Sequence, residues 1–520
     1  MKKLAIRKTA GLLALIMTIS MLLPIIAYAG VTFVKGTYNP NTGKVTATVY
    51  LTEDVYQGLG KPAKVAIQVY NNNDVIGYVY AEYKRTADGY YYYEVNVTDA
   101  AYKRKNNVRF NVYYPDDTVA ATFKPTVVDN SSYPGPFIPP VTDGDEGEIV
   151  ANPDGSVDAD ALKKALESGF ATIEISGEVA KLPASALTGG GVVTIVSELG
   201  SYELPLDELN LEALAEELGV SLDELVIVVT IAELKGAAKE EAEAAIESTG
   251  ATAVSAIVDF KVEAVSGGKT LYEFKKFGKF LKRTLNLTGE GDNLVGVRIT
   301  GNSVNPVPTQ VGDDDAAIFS NSNSVYAIID VAPKSFADLR NHWAEKDITT
   351  LANKLIVNGT GADKFEPKRD VTRAEFAALI VRALGLQASE AADFSDVPAS
   401  AWYADAVAAA AEYGIVKGDG TGKFRPTDKI TRQELAAMVV RAQALAGIEI
   451  DLSSAEVAAL LAGFKDAGQI GSWARAELAA AIESGIVNGT SANTVSPTAT
   501  ATRAEAAAMI IRLLDNAEFI

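Results

Sequence analysis

The sequence predicts a multidomain chain with an all-β region, a mixed α+β region and an all-α region of three repeats, in that order. Three observations carry the prediction. Residues 31–124 alternate apolar and polar residues with the period of strands. Residues 150–330 switch between helical and extended patterning. The last 185 residues carry one ordered set of five features three times over.

The first 29 residues are expected to be a signal peptide rather than part of the fold. Lys2, Lys3, Arg7 and Lys8 form a basic start, Leu12 to Ile26 is largely apolar, and Ala27-Tyr28-Ala29 supplies a small-x-small cleavage pattern. Cleavage is placed between Ala29 and Gly30. The apolar run is short for a bilayer span, which needs about 20 residues, and no later run is long enough. The mature chain is therefore expected to leave the cell without a membrane span. Removing four cations and no anion takes the net charge from −20 to −24. Such acidity argues against nucleic acid and anionic membrane surfaces as partners. With no cysteine in the chain, disulfides and thiolate metal sites are excluded, so ordinary hydrophobic cores must hold an exported protein of about three domains.

Strand-like runs such as Val45-Thr46-Ala47-Thr48-Val49-Tyr50 and Val65-Ala66-Ile67-Gln68-Val69-Tyr70 recur about seven times, between turns at Asn39 to Gly43, Asn71 to Asp74 and Asp88-Gly89. Seven strands in this length predict an immunoglobulin-like β-sandwich over 30–124. Fourteen of the 21 tyrosines fall there, including Tyr90 to Tyr93. They suit either the β-propensity of aromatic residues or an outer face for a sugar or protein. Residues 125–149, rich in proline and glycine with an acidic run, read as a linker. In 150–331, helices are expected at Asp158 to Ser168, Asp207 to Leu218 and Ala237 to Ser248. Strands are expected at Ile173 to Ile175, Val192 to Val196, Leu225 to Ile231, Ile257 to Val265, Val295 to Ile299 and Ser324 to Ile329. This is an α+β domain whose topology the pattern leaves open.

Repeats are expected over 334–389, 392–447 and 462–516. Each opens with Phe-x-Asp, at Phe336 and Asp338, Phe394 and Asp396, and Phe464 and Asp466. Trp343, Trp402 and Trp473, the only tryptophans of the chain, follow. An Ile-Val-x-Gly turn comes next, ending at Gly359, Gly418 and Gly489. Thr-Arg-x-Glu then falls at Thr372 to Glu375, Thr431 to Glu434 and Thr502 to Glu505, with Arg382, Arg441 and Arg512 ten residues past each threonine. Thr-x-x-Glu has the spacing of a capping box. Behind it Phe376, Leu379, Ile380, Ala383 and Leu384 form one apolar stripe, repeated in the other copies. Each copy is thus a helix–loop–helix whose second helix cannot bury its apolar face alone, and three such faces can close around a shared axis. Ile448 to Gly463 is expected to hold an inserted helix.

Phe-x-Asp, tryptophan, Ile-Val-x-Gly and Thr-Arg-x-Glu in triplicate resemble the S-layer homology triplet of bacterial surface proteins, over residues 336–515. The resemblance implies a pseudo-threefold helical unit whose grooves bind pyruvylated secondary cell-wall polysaccharide linked to peptidoglycan. It implies that Arg373, Arg432 and Arg503 meet the ligand's carboxylate. The neighbouring Gly359, Gly418 and Gly489, the tryptophans, and Asp338, Asp396 and Asp466 are counted with them as groove residues. A guanidinium on the first turn of a helix suits that role, since it adds a bidentate donor to the positive end of the dipole. The tryptophans suit either core or sugar contact. The copies differ, with Asn353-Lys354-Leu355 where the others carry glycine, Gln433 in place of alanine, and Val495-Ser496-Pro497 where the others begin with phenylalanine. The three grooves are therefore expected to be unequal.

Catalytic signals are thin. The single histidine, His342, precedes Trp343 and is read as structural, so no serine–histidine triad or histidine metal cluster can be built in residues 31–330. Asp313-Asp314-Asp315 is read as a solvated loop rather than a calcium site. No spacing singles out a carboxylate pair for glycoside hydrolysis. The sequence thus reads as a non-enzymatic secreted protein on the cell wall, with no cofactor or metal, in or beside an S-layer, with itself or other S-layer proteins as further partners. Two alternatives remain for its outward part: a carbohydrate-active enzyme with its site in 150–330, or an adhesin or carbohydrate-binding protein using the 30–124 sandwich.

Overall fold

The computed structural model describes residues 148–520 except 362 and 492, and the backbone of the strands between residues 31 and 127. The expected signal peptide with its cleavage at Ala29 and Gly30 lies outside the described residues, as do most of the linker and the side chains of the tyrosine-rich region. The chain divides into two units, Met1–Phe137 and Ile138–Ile520.

In the first unit eight strands follow one hydrogen-bonded path: Val119–Phe123, Val108–Tyr113, Lys64–Asn71, Asp74–Ala87, Tyr90–Thr98, Lys44–Thr52, Val31–Asn39 and Thr126–Val127. Only the last two pair in parallel. An immunoglobulin-like sandwich needs two facing sheets, and a single path of strands gives that expectation no support.

In the second unit, residues 148–330 are sheet-rich. One sheet runs Thr309–Val311, Asp315–Ser322, Lys276–Asn286, Gly200–Pro205, Val192–Ser197, Phe170–Glu174 and Glu148–Val150. The other runs Val179–Pro183, Val226–Glu233, Val258–Ser266, Val325–Asp330, Leu294–Thr300 and Ser303–Pro306, with two short strands beside it. The inward residues of both, such as Ile195, Leu204, Val229 and Val262, share one core. Helices α1 (Ala159–Leu166) and α2 (Leu211–Leu218) add Leu162, Leu211 and Leu214 to it. Helix α3 (Gly236–Glu247) covers the back of the second sheet, where Ala242 and Ile246 meet Val295, Val297, Ala327 and Ile329. The period-two alternation of strands explains the division, for Tyr326 and Ile328 face one core while Ala327 and Ile329 face the other.

Inside the first core sits a cation. Arg283 is fully buried, and its Nη2 donates to the Tyr202 hydroxyl (3.0 Å) and Asn323 Oδ1 (2.7 Å). Nη1 donates to the Ser320 carbonyl (3.1 Å), and the guanidinium lies 4.4 Å from the Tyr202 ring centre and 5.5 Å from that of Tyr326. Its partners are neutral and aromatic. Burial pushes the Tyr202 phenol up to about 12, against the opposing pull of Arg283.

The rest of the unit is helical: α4 (Glu345–Asn353), α5 (Arg373–Ala383), α6 (Ala404–Glu412), α7 (Arg432–Leu445), α8 (Ser454–Ala462), α9 (Arg475–Glu483) and α10 (Arg503–Asn516). Pairs α4/α5, α6/α7 and α9/α10 are the three repeats, and α8 occupies the stretch expected to hold an inserted helix. All six repeat helices contribute to one core, among them Leu351, Phe376, Val407, Val439, Leu478 and Ile510. Among the described residues no helix is long and apolar enough to cross a membrane.

The sheets and helices are not separate bodies. Strand Asp315–Ser322 is buried on both faces, with Ala316 and Ile318 in the sheet core and Ala317 and Phe319 in the helical core. Phe519, near the C-terminus, stacks on Phe319 and tilts against Phe280, each at 5.1 Å, while its carbonyl accepts from the Thr309 amide (2.8 Å). Buried Arg298 donates to the Gly385 carbonyl (2.6 Å) just past the end of α5, where a cation also complements the helix dipole. Leu355 explains the odd first repeat. It adopts φ +60°, where the equivalent Gly414 and Gly485 have +69° and +72°. A leucine there is strained by about 1–2 kcal/mol, and its side chain packs onto the cluster beneath α3.

Replacing Phe519 by alanine should destabilise sheets and helices together by about 3–5 kcal/mol. Urea unfolding, followed by circular dichroism at strand- and helix-sensitive wavelengths, should show both transitions moving to lower urea in step.

Candidate functional site

The site grows from the way three helix starts meet. Val371, Ile430 and Ala501, each fully buried, precede the Thr-Arg-x-Glu segments. Their backbones form a closed ring: Val371 N–H donates to the Ala501 carbonyl (3.0 Å), Ala501 to Ile430 (2.9 Å), and Ile430 to Val371 (3.0 Å). The amides of Arg373, Arg432 and Arg503 then reach the carbonyls of Asp428, Ala499 and Arg369, each at 2.9 Å. Those of Ala374, Gln433 and Ala504 reach Pro426, Pro497 and Pro367 at 3.0–3.1 Å. Each threonine and glutamate completes the expected capping box. The first-turn amides that a helix leaves unpaired are thus satisfied half by the box and half by the next repeat, and the pseudo-threefold unit closes on itself.

The arginines of Thr-Arg-x-Glu cross the same seams. Arg373 is 6% exposed; its Nε donates to the Phe424 carbonyl (2.9 Å) and its Nη1 to Glu434 (3.0 Å) of the second repeat. Arg432, 5% exposed, donates in the same way to Val495, Asn488 and Glu505 of the third. Arg503 donates to the Phe365 and Asn358 carbonyls of the first, each at 2.8 Å, and lies 4.3 Å from the Phe365 ring centre. Among the described residues no carboxylate pairs with it, and Glu375 is held by Arg369 at 2.7 Å. Arg425, another residue that the sequence pattern did not single out, shares Glu434 with Arg373. Both extra arginines lie on the loop before Thr-Arg-x-Glu, where the copies differ, and that divergence was the one available signal. Burial pulls Arg373 and Arg503 below the ordinary arginine value, the first opposed by Glu434, the second reinforced by Arg369.

The other groove residues hold the loops in shape. Asp338, Asp396 and Asp466 each accept two consecutive amides, Phe365/Glu366, Phe424/Arg425 and Val495/Ser496, at 2.7–3.1 Å. The second residue of each pair sits at a positive φ of 51–60°, a conformation costing about 1–2 kcal/mol that the carboxylate offsets. At Gly359 and Gly418 an added Cβ would fall 2.8 Å from the Phe336 or Phe394 ring, and at Gly489 2.5 Å from the Ser491 carbonyl. Internal packing thus requires a glycine at each of these positions. Arg382, Arg441 and Arg512 pin the Ile356, Ile415 and Ile486 carbonyls at 2.7–3.3 Å. His342 Nδ1 accepts the Ala344 amide (3.2 Å) at the start of α4. In contrast, Trp343, Trp402 and Trp473 are 63%, 68% and 52% exposed. Of the two roles open to them, the core is ruled out. Gln433, beside Arg432, accepts the Gly471 amide (2.9 Å) and so ties the loop of Trp473 to the preceding repeat.

The model of the S-layer homology domain matches residues 335–377, 393–436 and 463–507. The chain carries three S-layer homology domains. Among relatives, an amylopullulanase of Thermoanaerobacterium thermosulfurigenes is 33% identical over 350 residues, 66% of this chain and 17% of that one. That match is longer than the stretch from residue 335 to the end, so it extends into the sheets. An exoglucanase XynX of Acetivibrio thermocellus is 40% identical over 183 residues (35% of this chain, 16% of that one). A surface-layer 125 kDa protein of Lysinibacillus sphaericus is 34% identical over 179 residues (34% and 14%). The chain spans less than a fifth of the length of each. With its S-layer homology domains, it is a secreted protein anchored at the cell surface.

The carboxylates of the seams set an acid limit. Asp338, against the opposing effect of burial, is held below its ordinary 3.8 by its two amides. Glu375 and Glu434, likewise opposed by burial, are held below 4.5, Glu375 by Arg369 and Thr372, Glu434 by Thr431, Arg373 and Arg425. A depressed native value contributes stability above the unfolded value that is lost as pH falls through the native one. Asp338→Asn should therefore be less stable than the parent at neutral pH, with the gap closing as pH falls below 3.8; denaturant melts across pH 2–7 check this.

Proposed function

We propose that this protein is non-enzymatic and is held on pyruvylated secondary cell-wall polysaccharide by the grooves between its S-layer homology domains, as an S-layer subunit or an accessory to one. Trp343, Trp402 and Trp473 supply apolar platforms for sugar carbons. Arg373, Arg432 and Arg503 form the polar walls, while the aspartates and glycines keep the loops in register. The observation that carries this reading is the exposure of all three tryptophans at equivalent positions. Large aromatic side chains are ordinarily mostly covered, and an aromatic face left in water three times over is a binding surface.

The enzyme reading draws on relatives named amylopullulanase and exoglucanase, of which this chain spans 17% and 16%. A carboxylate pair for glycoside hydrolysis normally includes an acid whose pKa is raised by its surroundings. Among the described residues the carboxyl raised in this way is Asp515, by burial and by Asp347 beside it, and it lies on α10 of the third repeat rather than in residues 150–330. The match that runs past the triplet favours the sheets as a companion of the anchor.

The test is co-sedimentation of the purified chain with Gram-positive cell walls, with and without the pyruvylated polymer. The parent should pellet only with the polymer. A Trp343, Trp402 and Trp473 triple alanine variant, unchanged in melting temperature, should bind at least about tenfold more weakly. Equal pelleting with stripped walls, or unchanged binding by the variant, would sink the proposal.

A further inference from the structure

The three grooves share a backbone but not a charge. Glu434 holds the arginine of the repeat before it, Arg373, and Glu505 holds Arg432. The pseudo-threefold symmetry would give Glu375 to Arg503. Instead Arg369 takes it, with Nη2 on Oε1 (2.7 Å) and Nη1 on Oε2 (3.4 Å), and the Thr372 amide adds a third bond (2.8 Å). Arg503 is left oriented by two carbonyls and the Phe365 ring, none of which carries charge, and its Nη1 has no acceptor among the described residues.

The loops reinforce the difference. On the first repeat, an open cleft is lined by Arg340, His342, Lys368 and Arg369 together with Asp338 and Glu366. Arg503 sits beside it, since its own amide and that of Ala504 bond to Arg369 and Pro367. Seven positions can be compared between grooves. Here four cations (Arg340, Lys368, Arg369, Arg503) face three carboxylates (Asp338, Glu366, Glu375). Between repeats 1 and 2, the same positions hold Arg373 and Arg425 against Asp396, Asp428 and Glu434. Between repeats 2 and 3 they hold Arg432 against Asp466 and Glu505. Over these seven positions one groove is net positive and the other two net negative.

We infer that the acidic group of the wall polymer is recognised in the groove between repeats 3 and 1 alone, with Arg503 as its receptor and Arg369 as the positioning residue that keeps Arg503 free. This rests on the wall-binding reading above. An anion entering either other groove must displace a glutamate from a largely buried ion pair. In the groove of Arg503 it meets a guanidinium already fixed in place, with an unused N–H. The other two grooves are left to neutral sugar, through Trp402 and Trp473, and add avidity rather than charge recognition.

Calorimetric titration of the full chain tests this, using polymer fragments that carry the pyruvate ketal and the same fragments after mild acid has removed it. One ketal-dependent site per chain is expected. Arg503→Gln should weaken binding to ketal-bearing fragments by about tenfold or more, and Arg503→Lys should recover part of the loss. Arg369→Ala should weaken ketal-dependent binding although Arg503 remains, because Glu375 is released to pair with it. Unchanged ketal-dependent binding by Arg503→Gln or by Arg369→Ala, or two or three such sites in the parent, overturns the inference. If Arg503→Gln does not fold, the site count and Arg369→Ala still decide. A parent chain that binds neither fragment overturns the wall-binding reading itself.

Discussion

Three backbone hydrogen bonds on one axis govern the C-terminal unit. The ring through Val371, Ile430 and Ala501 fixes how each helix start faces the loop of the next repeat. Once that is set, the first-turn amides have acceptors, the capping glutamates come within reach of the arginine from the preceding repeat, and the apolar stripes close over a shared core. No repeat completes its own helix start. Cooperativity between repeats therefore resides in the hydrogen bonding itself as well as in buried area. The arginines and glutamates of Thr-Arg-x-Glu cross the same seams, so the residues proposed to bind are also residues on which folding draws.

Above that unit, the sheets are fused to the helices through a strand with two apolar faces and a C-terminal aromatic that reaches back to it. The first repeat is adapted to this. Leu355 accepts a left-handed backbone where its counterparts use glycine, and Lys354 is buried enough for desolvation to lower its pKa, with the Thr309 carbonyl as its acceptor at 3.4 Å. Both departures from the repeat pattern are the mark of a neighbouring domain.

The parts legible in sequence were those decided within a few residues of themselves. Thr-x-x-Glu specifies its capping box locally, and the helices of both regions start and stop near the places their patterns indicate. The strand Asp315–Ser322 escaped because it ends in Ser320, Asn321 and Ser322, polar residues that read as loop yet are buried. Gly200–Pro205 escaped for a similar reason, being short and half polar. Within the site, the triplicate residues were legible but their division of labour was not. The carboxylates of Phe-x-Asp bond to amides some 30 residues away, and the partner of each arginine lies in another repeat. Pattern within one copy carries no information about that pairing. Trp343, Trp402 and Trp473 stand apart, since only the folded chain separates a core aromatic from an exposed one.

The buried Arg283 bears on how such a chain meets its surroundings. Its stabilising company is a phenol, an amide, backbone carbonyls and aromatic faces, and an arginine does not give up its proton in proteins. The helical seams, by contrast, are laced with carboxylates that protonate in acid. At the heart of the sheets a permanent charge is thus held by neutral groups, whereas the helical seams hold theirs in pairs with carboxylates, so acid acts directly on the second kind of contact and not on the first.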